Sequence, residues 1–95
     1  MTRLPLVEVD LRSAESSDEV HSTLSNALEF PGWYGRNWDA FWDAITGLVP
    51  MPRRLKILGW ESFSRRLPND ARLLKECLDE MQVQYPDEAP DVEFG

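Results

Sequence analysis

The sequence predicts an α/β fold in which a three-stranded parallel β-sheet packs against about four α-helices, in the order β-α-α-β-α-α-β. Three short segments have the apolar patterns of strands, and two helical segments separate each of them from the next. Strands that are connected through helices pair in parallel with right-handed crossovers. The chain has 95 residues, 42% of them hydrophobic, which suits one packed domain covering residues 1–95.

The first strand and the first helix precede a Pro-Gly pair. Residues 4–11, LPLVEVDL, combine apolar and acidic positions in the alternation of a strand. Ser16 or Ser17 is expected to cap the first helix, because a serine hydroxyl accepts a hydrogen bond from a free backbone N–H of the first turn. This helix should extend to Phe30, where Pro31-Gly32 ends it.

A loop and the second helix come next. Residues 33–36, WYGR, form the loop, in which Gly35 is free to take a positive φ. Asn37 is the predicted N-cap of the second helix. The helix should extend to about Val49, because Pro50 and the proline two residues later stop it.

The second half of the chain supplies two strands and two helices. Residues 53–58, RRLKIL, predict the second strand, and residues 91–94, DVEF, predict a short third strand. A short helix is expected from Glu61 to Leu67, and a longer one begins at Pro68. The longer helix has an apolar stripe at i, i+3, i+4 and i+7: Leu74, Cys77, Leu78 and Met81.

The charge of the chain restricts its partners. Seventeen acidic and 10 basic residues give a formal net charge of -7. A protein that binds nucleic acid presents a basic surface, so direct nucleic-acid binding is not expected. An acidic surface instead favours a basic protein partner.

Cysteine and histidine are too few for a disulfide framework or a metal site. The chain has one of each, Cys77 and His21, so no cofactor is predicted. Cys77 is expected in the core and His21 on the surface. The start of the chain has no apolar run long enough for a signal peptide, and no 18-residue apolar segment occurs. We therefore expect a cytoplasmic protein without membrane segments.

The second helix has the most unusual pattern in the sequence. Asp39 and Asp43 lie four residues apart on one side of the helix, and no basic residue separates them on that side. Like charges at this spacing destabilise a helix by about 0.2–0.5 kcal/mol. Trp42 falls at the border between this acidic patch and the core-facing side. The residues predicted to face the core are Trp38, Phe41, Ile45, Leu48 and Val49.

Each of these residues also has an ordinary explanation. The helix dipole favours an aspartate such as Asp39 in a first turn. Asp43 is accounted for as a solvated surface residue, and Trp42 as a core residue. Together, however, they form an acidic surface edged by an aromatic ring, and tryptophan is a frequent anchor of protein interfaces.

The segment FPGWYGRNWDAFWDAITG resembles the barstar family, the intracellular inhibitors of secreted ribonucleases. Residues 28–63 carry most of the resemblance, and the flanks agree in element order more than in residues. The family fold, a small parallel three-stranded sheet with helices, agrees with the predicted topology. The matching positions are Trp33, Tyr34, Gly35, Asn37, Asp39, Ala40, Trp42, Asp43, Thr46 and Gly47.

The resemblance implies that the protein inhibits a ribonuclease or toxin nuclease by blocking its active site. In the family, the helix that matches residues 37–48 and the loop before it enter the cleft of the enzyme, where carboxylates replace RNA phosphates. Asp43 would then be the central anion facing arginine and histidine residues of the enzyme, with Asp39 beside it. Trp33 and Trp42 would give apolar contact.

The implied partner-binding set has two parts, and it includes no catalytic and no metal-binding residue. A carboxylate of the longer terminal helix contributes in the family, and Glu76 or Glu80 is the candidate here. A plain solvated face is the slightly favoured explanation of this pair, because Arg72 lies one turn before Glu76 and could neutralise it. The first part of the set comprises Trp33, Tyr34, Gly35, Asp39, Trp42, Asp43, Thr46 and Gly47.

Departures from the family pattern leave the partner open. Leu48 stands where barstar has another tryptophan, and Arg36 stands where it has glutamate. The region of the second strand is also more basic than expected, with Arg53, Arg54 and Lys56. The partner is therefore either a barnase-like enzyme or a nuclease with different charges around its cleft.

Two other classes of function compete with inhibition of a nuclease. The first is an acidic interaction module on the same fold that binds a basic partner other than a nuclease. The second is an enzyme with Asp39 and Asp43 as acid and base. We disfavour the enzyme, because exposed carboxylates keep ordinary pKa values and the sequence has no nucleophile–base pair, phosphate-binding loop or metal set.

Overall fold

The computed structural model describes residues 3–95, and it confirms the predicted α/β fold and the order of its elements. Three parallel strands form one sheet, and four α-helices pack with it. The elements are β1 (Leu6–Asp10), α1 (Ser17–Leu28), α2 (Trp38–Asp43) with a π-helical continuation (Ala44–Leu48), β2 (Arg54–Leu58), α3 (Trp60–Arg66), α4 (Pro68–Gln84) and β3 (Asp91–Phe94).

The sheet has the order β1-β2-β3, with β2 in the centre. Val9 pairs with Ile57, and Ile57 pairs with Phe94, so apolar side chains form a row across one face. Successive side chains of a strand point to opposite faces. The other face is therefore charged, and Lys56 lies 3.5 Å from Glu93 there. The core lies between the apolar face and the helices.

Helix α1 begins as predicted and ends earlier. The Ser16 hydroxyl accepts a hydrogen bond from the backbone N–H of Glu19, which confirms a serine cap. The helix ends at Leu28 because Glu29 adopts the left-handed conformation, with φ of 57°. The N–H of Phe30 then bonds to the carbonyl of Ser25 at 3.0 Å, which satisfies an end carbonyl of the helix.

In the loop before α2, the positive φ occurs at a different residue from the predicted one. Arg36 has φ of 50°, whereas Gly35 is outside the positive region. A side chain at position 35 would instead be crowded by its neighbours. A Cβ there would lie 3.3 Å from the Cβ of Ala40 and 3.3 Å from Nδ2 of Asn37. Asn37 caps α2 as predicted, since its side-chain oxygen accepts from the N–H of Ala40 at 2.7 Å.

The core-facing side of the second helix was predicted correctly only for its first part. Phe41 and Ile45 are fully buried, whereas Leu48 is 44% exposed. The helix widens into a π-helical turn, in which the N–H of Val49 bonds to the carbonyl of Ala44 at 3.1 Å. An i→i+5 turn contains more residues than an α-turn. A rotation of 100° per residue therefore misplaces Leu48, whereas Ile45 is buried as predicted and Val49 packs against the core from its edge.

Helix α4 begins at Pro68 and buries three of the four predicted stripe residues: Leu74, Leu78 and Met81. Cys77, the fourth, is only partly buried and packs against the core from its edge. The stripe thus turns one face of α4 toward the core, where α4 contacts α2 and α3. The side of α4 beyond Cys77 remains open to solvent.

Candidate functional site

A groove lies on the surface between α2 and α4. Its volume is about 820 Å³. Helix α2 forms one wall and α4 forms the other. We call it the acidic groove, and its lining residues are Trp38, Asp39, Trp42, Asp43, Leu73, Glu76, Cys77, Asp79, Glu80 and Val83.

Five carboxylates and no basic residue line the acidic groove. On the α4 wall, Glu76 pairs with Arg72 at 3.1 Å, as the sequence predicted, and Asp79 pairs with Lys75 at 2.7 Å. On the α2 wall, Asp39 and Asp43 form no salt bridge with any residue from 3 to 95. In this described part of the chain, no neighbouring cation therefore neutralises their negative charge.

Apolar side chains lie among these carboxylates. Trp42 is partly buried, and its ring centroid lies 6.4 Å from that of Tyr85. Trp38 is held by a hydrogen bond from its indole N–H to Asp70 at 3.0 Å. Val83 is 75% exposed at the α4 wall. The groove thus combines negative charge with apolar surface, which suits a basic partner that also gives apolar contact.

Cys77 lies among the groove carboxylates. Burial raises the pKa of its thiol to about 11, and the charges of Glu76 and Asp39 add to the effect. The thiolate is the reactive form of cysteine, so this thiol is protonated and unreactive at neutral pH. Cys77 therefore serves packing and not nucleophilic chemistry.

In the loop before α2, the side chain of Trp33 is exposed to solvent and that of Tyr34 is buried. Trp33 is 72% exposed, whereas Tyr34 is only 9% exposed. The position of Tyr34 favours support of the loop over direct contact with a partner. Arg36 lies 3.0 Å from Asp18 of α1, so its positive charge is shared with a carboxylate of the first helix.

His21 was predicted on the surface, and this prediction is wrong. The residue is 1% exposed and lies beside the apolar stripe of α1. Its Nδ1 is 2.7 Å from the Tyr34 hydroxyl, and its ring centroid is 4.3 Å from that of Trp38. A helical wheel missed this burial, because the loop that folds over the polar side of α1 is visible only in three dimensions.

Thr46 and Gly47 lie outside the acidic groove. The Thr46 hydroxyl donates to the carbonyl of Trp42 at 2.7 Å. Both residues line a separate depression of about 400 Å³ beside the π-helical turn. A Cβ at Gly47 would meet nothing within 4 Å, so the fold does not require glycine at this position.

The structure brings half of the predicted set into one groove. Asp79, Leu73 and Val83 also line it and were missed. Leu73 and Asp79 each lie three residues from Glu76, and Val83 lies three residues from Glu80, so a helical wheel of α4 places them beside the predicted pair. The predicted residues that the groove brings together are Asp39, Trp42, Asp43, Glu76 and Glu80, and those outside it are Trp33, Tyr34, Gly35, Thr46 and Gly47.

Neither a metal cluster nor a membrane span is found in the described part of the chain. Residues 3–95 contain no group of three or more His, Cys, Asp or Glu side chains placed to hold a metal ion. Within the same residues, every helix is too short or too polar to cross a membrane. The carboxylates of the acidic groove are thus spread along two walls and do not converge on one point.

The sequence and the fold agree with a family of inhibitor proteins. The model of the family described as Barstar (barnase inhibitor) matches residues 4–94, and the chain belongs to this family. One relative is the protein of Bacillus subtilis (strain 168) called "Putative ribonuclease inhibitor YrdF". The two chains are 36% identical over 80 residues, which cover 84% of this chain and 88% of the relative.

Proposed function

We propose that the protein is an inhibitor or immunity protein that blocks the active site of a ribonuclease or toxin nuclease in the cytoplasm, in a 1:1 complex. The observation that carries this proposal is the acidic groove, which has five carboxylates and no basic residue in its lining. The carboxylates would occupy the positions of RNA phosphates in the cleft of the enzyme. Membership of the barstar family and the name of the relative agree with this function.

Electrostatics explains why an acidic groove suits such a target. An enzyme that binds RNA must present a cationic cleft. A protein of net charge -7 is attracted to it over a distance, which raises the association rate, and salt weakens the attraction. The charge within the groove therefore favours fast and selective binding.

The two walls of the groove should contribute unequally. Asp39 and Asp43 have no salt-bridge partner among residues 3–95, so their charge is available to a binding partner. We assign the central anion to Asp43 and an adjacent role to Asp39. Glu76 gives up part of its interaction with Arg72 when it binds a partner, so its net contribution is smaller.

The apolar contacts come from two tryptophans on different elements. Trp42 lines the groove, and Trp33 projects from the loop before α2 with 72% of its surface exposed. Aromatic side chains of this kind bury a large area on binding with little loss of conformational freedom. Trp33 and Trp42 would therefore enclose the charged contacts and exclude water from them.

The test is a calorimetric titration with the product of the adjacent gene or with barnase, at low and at physiological salt, together with a nuclease assay. We expect 1:1 binding that abolishes nuclease activity and weakens with salt. Asp43→Asn should reduce the affinity strongly. The matched control is Glu8→Gln, which removes the same charge from an exposed position of strand β1 and should change the affinity little.

Two outcomes contradict the proposal in different ways. If Asp43→Asn binds a demonstrated nuclease as tightly as the unchanged protein does, the assignment of the central anion is wrong. If neither nuclease binds, the groove serves a basic partner that is not a nuclease, and the protein is an acidic interaction module on the barstar fold. Nuclease activity of the protein itself that is lost in Asp39→Asn would instead indicate an enzyme.

A further inference from the structure

A buried polar cluster connects the loop before α2 to three helices. His21 on α1 lies 2.7 Å from the hydroxyl of Tyr34 in the loop and packs on the ring of Trp38 in α2. The Trp38 indole N–H donates to Asp70 at 3.0 Å, near the start of α4. We call these four residues the His21 cluster. Its central residue, His21, is 1% exposed.

The hydrogen bonds favour one neutral tautomer of His21. If Nδ1 carries the proton, it donates to the Tyr34 hydroxyl, which in turn can donate to the carbonyl of Asn37 at 3.5 Å. Only the lone pair of Nε2 then remains without a partner among residues 3–95. The other tautomer would leave an N–H of Nε2 buried without an acceptor, which costs more free energy.

Protonation of His21 would place a charge where the fold does not accommodate one. The added proton goes to Nε2, which is buried and has no acceptor within the described residues. A buried cation without a partner is unfavourable, and the fold relieves it most easily by letting water in. The least regular element around the imidazole is the loop of residues 31–37, because α1, α2 and α4 are helices with their own backbone bonds.

We propose that His21 is a positioning residue, whose neutral imidazole holds Tyr34 and with it the loop that presents Trp33, and that protonation of this imidazole releases the loop. The effect on partner binding rests on the proposed function, whereas the effect on the loop does not. His21 and the Tyr34 side chain are too buried to contact a partner, so they act through the exposed Trp33.

The charged groups that face His21 come from several elements, and their effects on the pKa of its imidazole partly cancel. Burial lowers the pKa of the imidazole and is the largest influence. Asp70 of α4 and Asp18 of α1 act in the opposite direction, and Arg36 of the loop adds to the lowering. From α2 the facing side chain is the uncharged Trp38. The neutral form is therefore the one that the fold holds at neutral pH.

The first test uses the free protein. His21 is the one histidine of the chain, so its imidazole NMR signals are unambiguous. We expect them to titrate below pH 6.5, and the backbone amide signals of Trp33 and Gly35 to move with the same midpoint while circular dichroism shows intact helices. An imidazole that titrates at or above 6.5, or loop amides that do not follow it, would overturn the proposal.

Two variants distinguish the effect of the hydrogen bond between His21 and Tyr34 from the effect of protonating His21. In His21→Asn the side-chain amide can take the place of Nδ1 and keep the bond to Tyr34, but it does not titrate. Its loop amides should stay unchanged over the pH range in which those of the unchanged protein move. Tyr34→Phe removes the hydroxyl and should speed hydrogen exchange in the loop at pH 7.5. If this exchange is no faster, the hydrogen bond does not hold the loop.

The second test measures affinity for barnase between pH 7.5 and 5. Only the neutral form is competent to bind, so the apparent Kd should rise up to tenfold per pH unit below the imidazole midpoint. The apparent Kd of His21→Asn should not show this rise. Any dependence on pH that remains in this variant comes from groups other than His21, including those of barnase, and can be subtracted. Parallel profiles for both proteins would refute the role of His21 in binding. Failure to bind barnase at pH 7.5 would instead count against the proposed function. The amide signals of the loop in the free protein would still test whether protonation of His21 releases the loop.

Discussion

Replacing Asp43 with asparagine should make the free protein more stable and the complex weaker. Asp43 lies four residues after Asp39, and no cation within residues 3–95 pairs with either carboxylate. Repulsion at this spacing amounts to about 0.2–0.5 kcal/mol, which Asp43→Asn relieves. For a domain of this size, 1 kcal/mol corresponds to about 4–8 °C in Tm. The expected gain in Tm is therefore about 1–4 °C.

The effect on binding should be opposite and larger. A hydrogen bond to a charged group contributes about 1.5–3 kcal/mol, which corresponds to a loss of about 10- to 150-fold in affinity when the charge is removed. The Asp43→Asn variant should thus be a more stable protein and a poorer inhibitor. A site that holds uncompensated charge for binding gives this combination.

The assay is thermal unfolding at low ionic strength and in 1 M NaCl, with calorimetric titration against the partner. Because 1 M salt reduces the Debye length to about 3 Å, the stability gain should nearly vanish there. Asp79→Asn is the matched control, since this groove carboxylate already has Lys75 at 2.7 Å and its removal should give no gain. A less stable Asp43→Asn protein, or a gain in Tm that persists unchanged in 1 M salt, would show that repulsion between Asp39 and Asp43 does not limit stability.

Three further predictions concern the framework of the site. Asn37→Ala should lower the free energy of unfolding by about 1 kcal/mol in urea denaturation, because the side chain caps α2, and an unchanged urea midpoint would contradict this. Gly59→Ala should destabilise the fold, because Gly59 has φ of 76° and a Cβ there would lie too close to Cγ of Arg12. Gly32→Ala is the control and should be tolerated, because a Cβ at Gly32 would meet nothing within 4 Å. The free energy of unfolding should also fall as pH drops below 6.5, because the unfolded chain protonates His21 more readily than the folded one, and His21→Asn should remove this part of the dependence in urea titrations from pH 7.5 to 5.

Much of the fold follows from local patterns. Strand alternation, the Ser16 and Asn37 caps and the stripe of α4 are local features, and each gave an element close to its observed bounds. The parallel sheet follows from the helices between the strands, because such connections favour parallel pairing. The π-helical turn after Ala44 was missed because a periodicity of 3.6 residues is assumed before any hydrogen bond is known.

The fold class, the family motif and the acidic pair on α2 could be read from the sequence alone, because each depends on residues close together in the chain. The three-dimensional structure was needed to show that α4 faces α2 across a groove, which adds Asp79 and Val83 to the site. It also decided that His21 and Tyr34 meet inside the protein, 13 residues apart in sequence. Contacts of this kind depend on how helices pack, and packing brings together side chains that no local pattern connects.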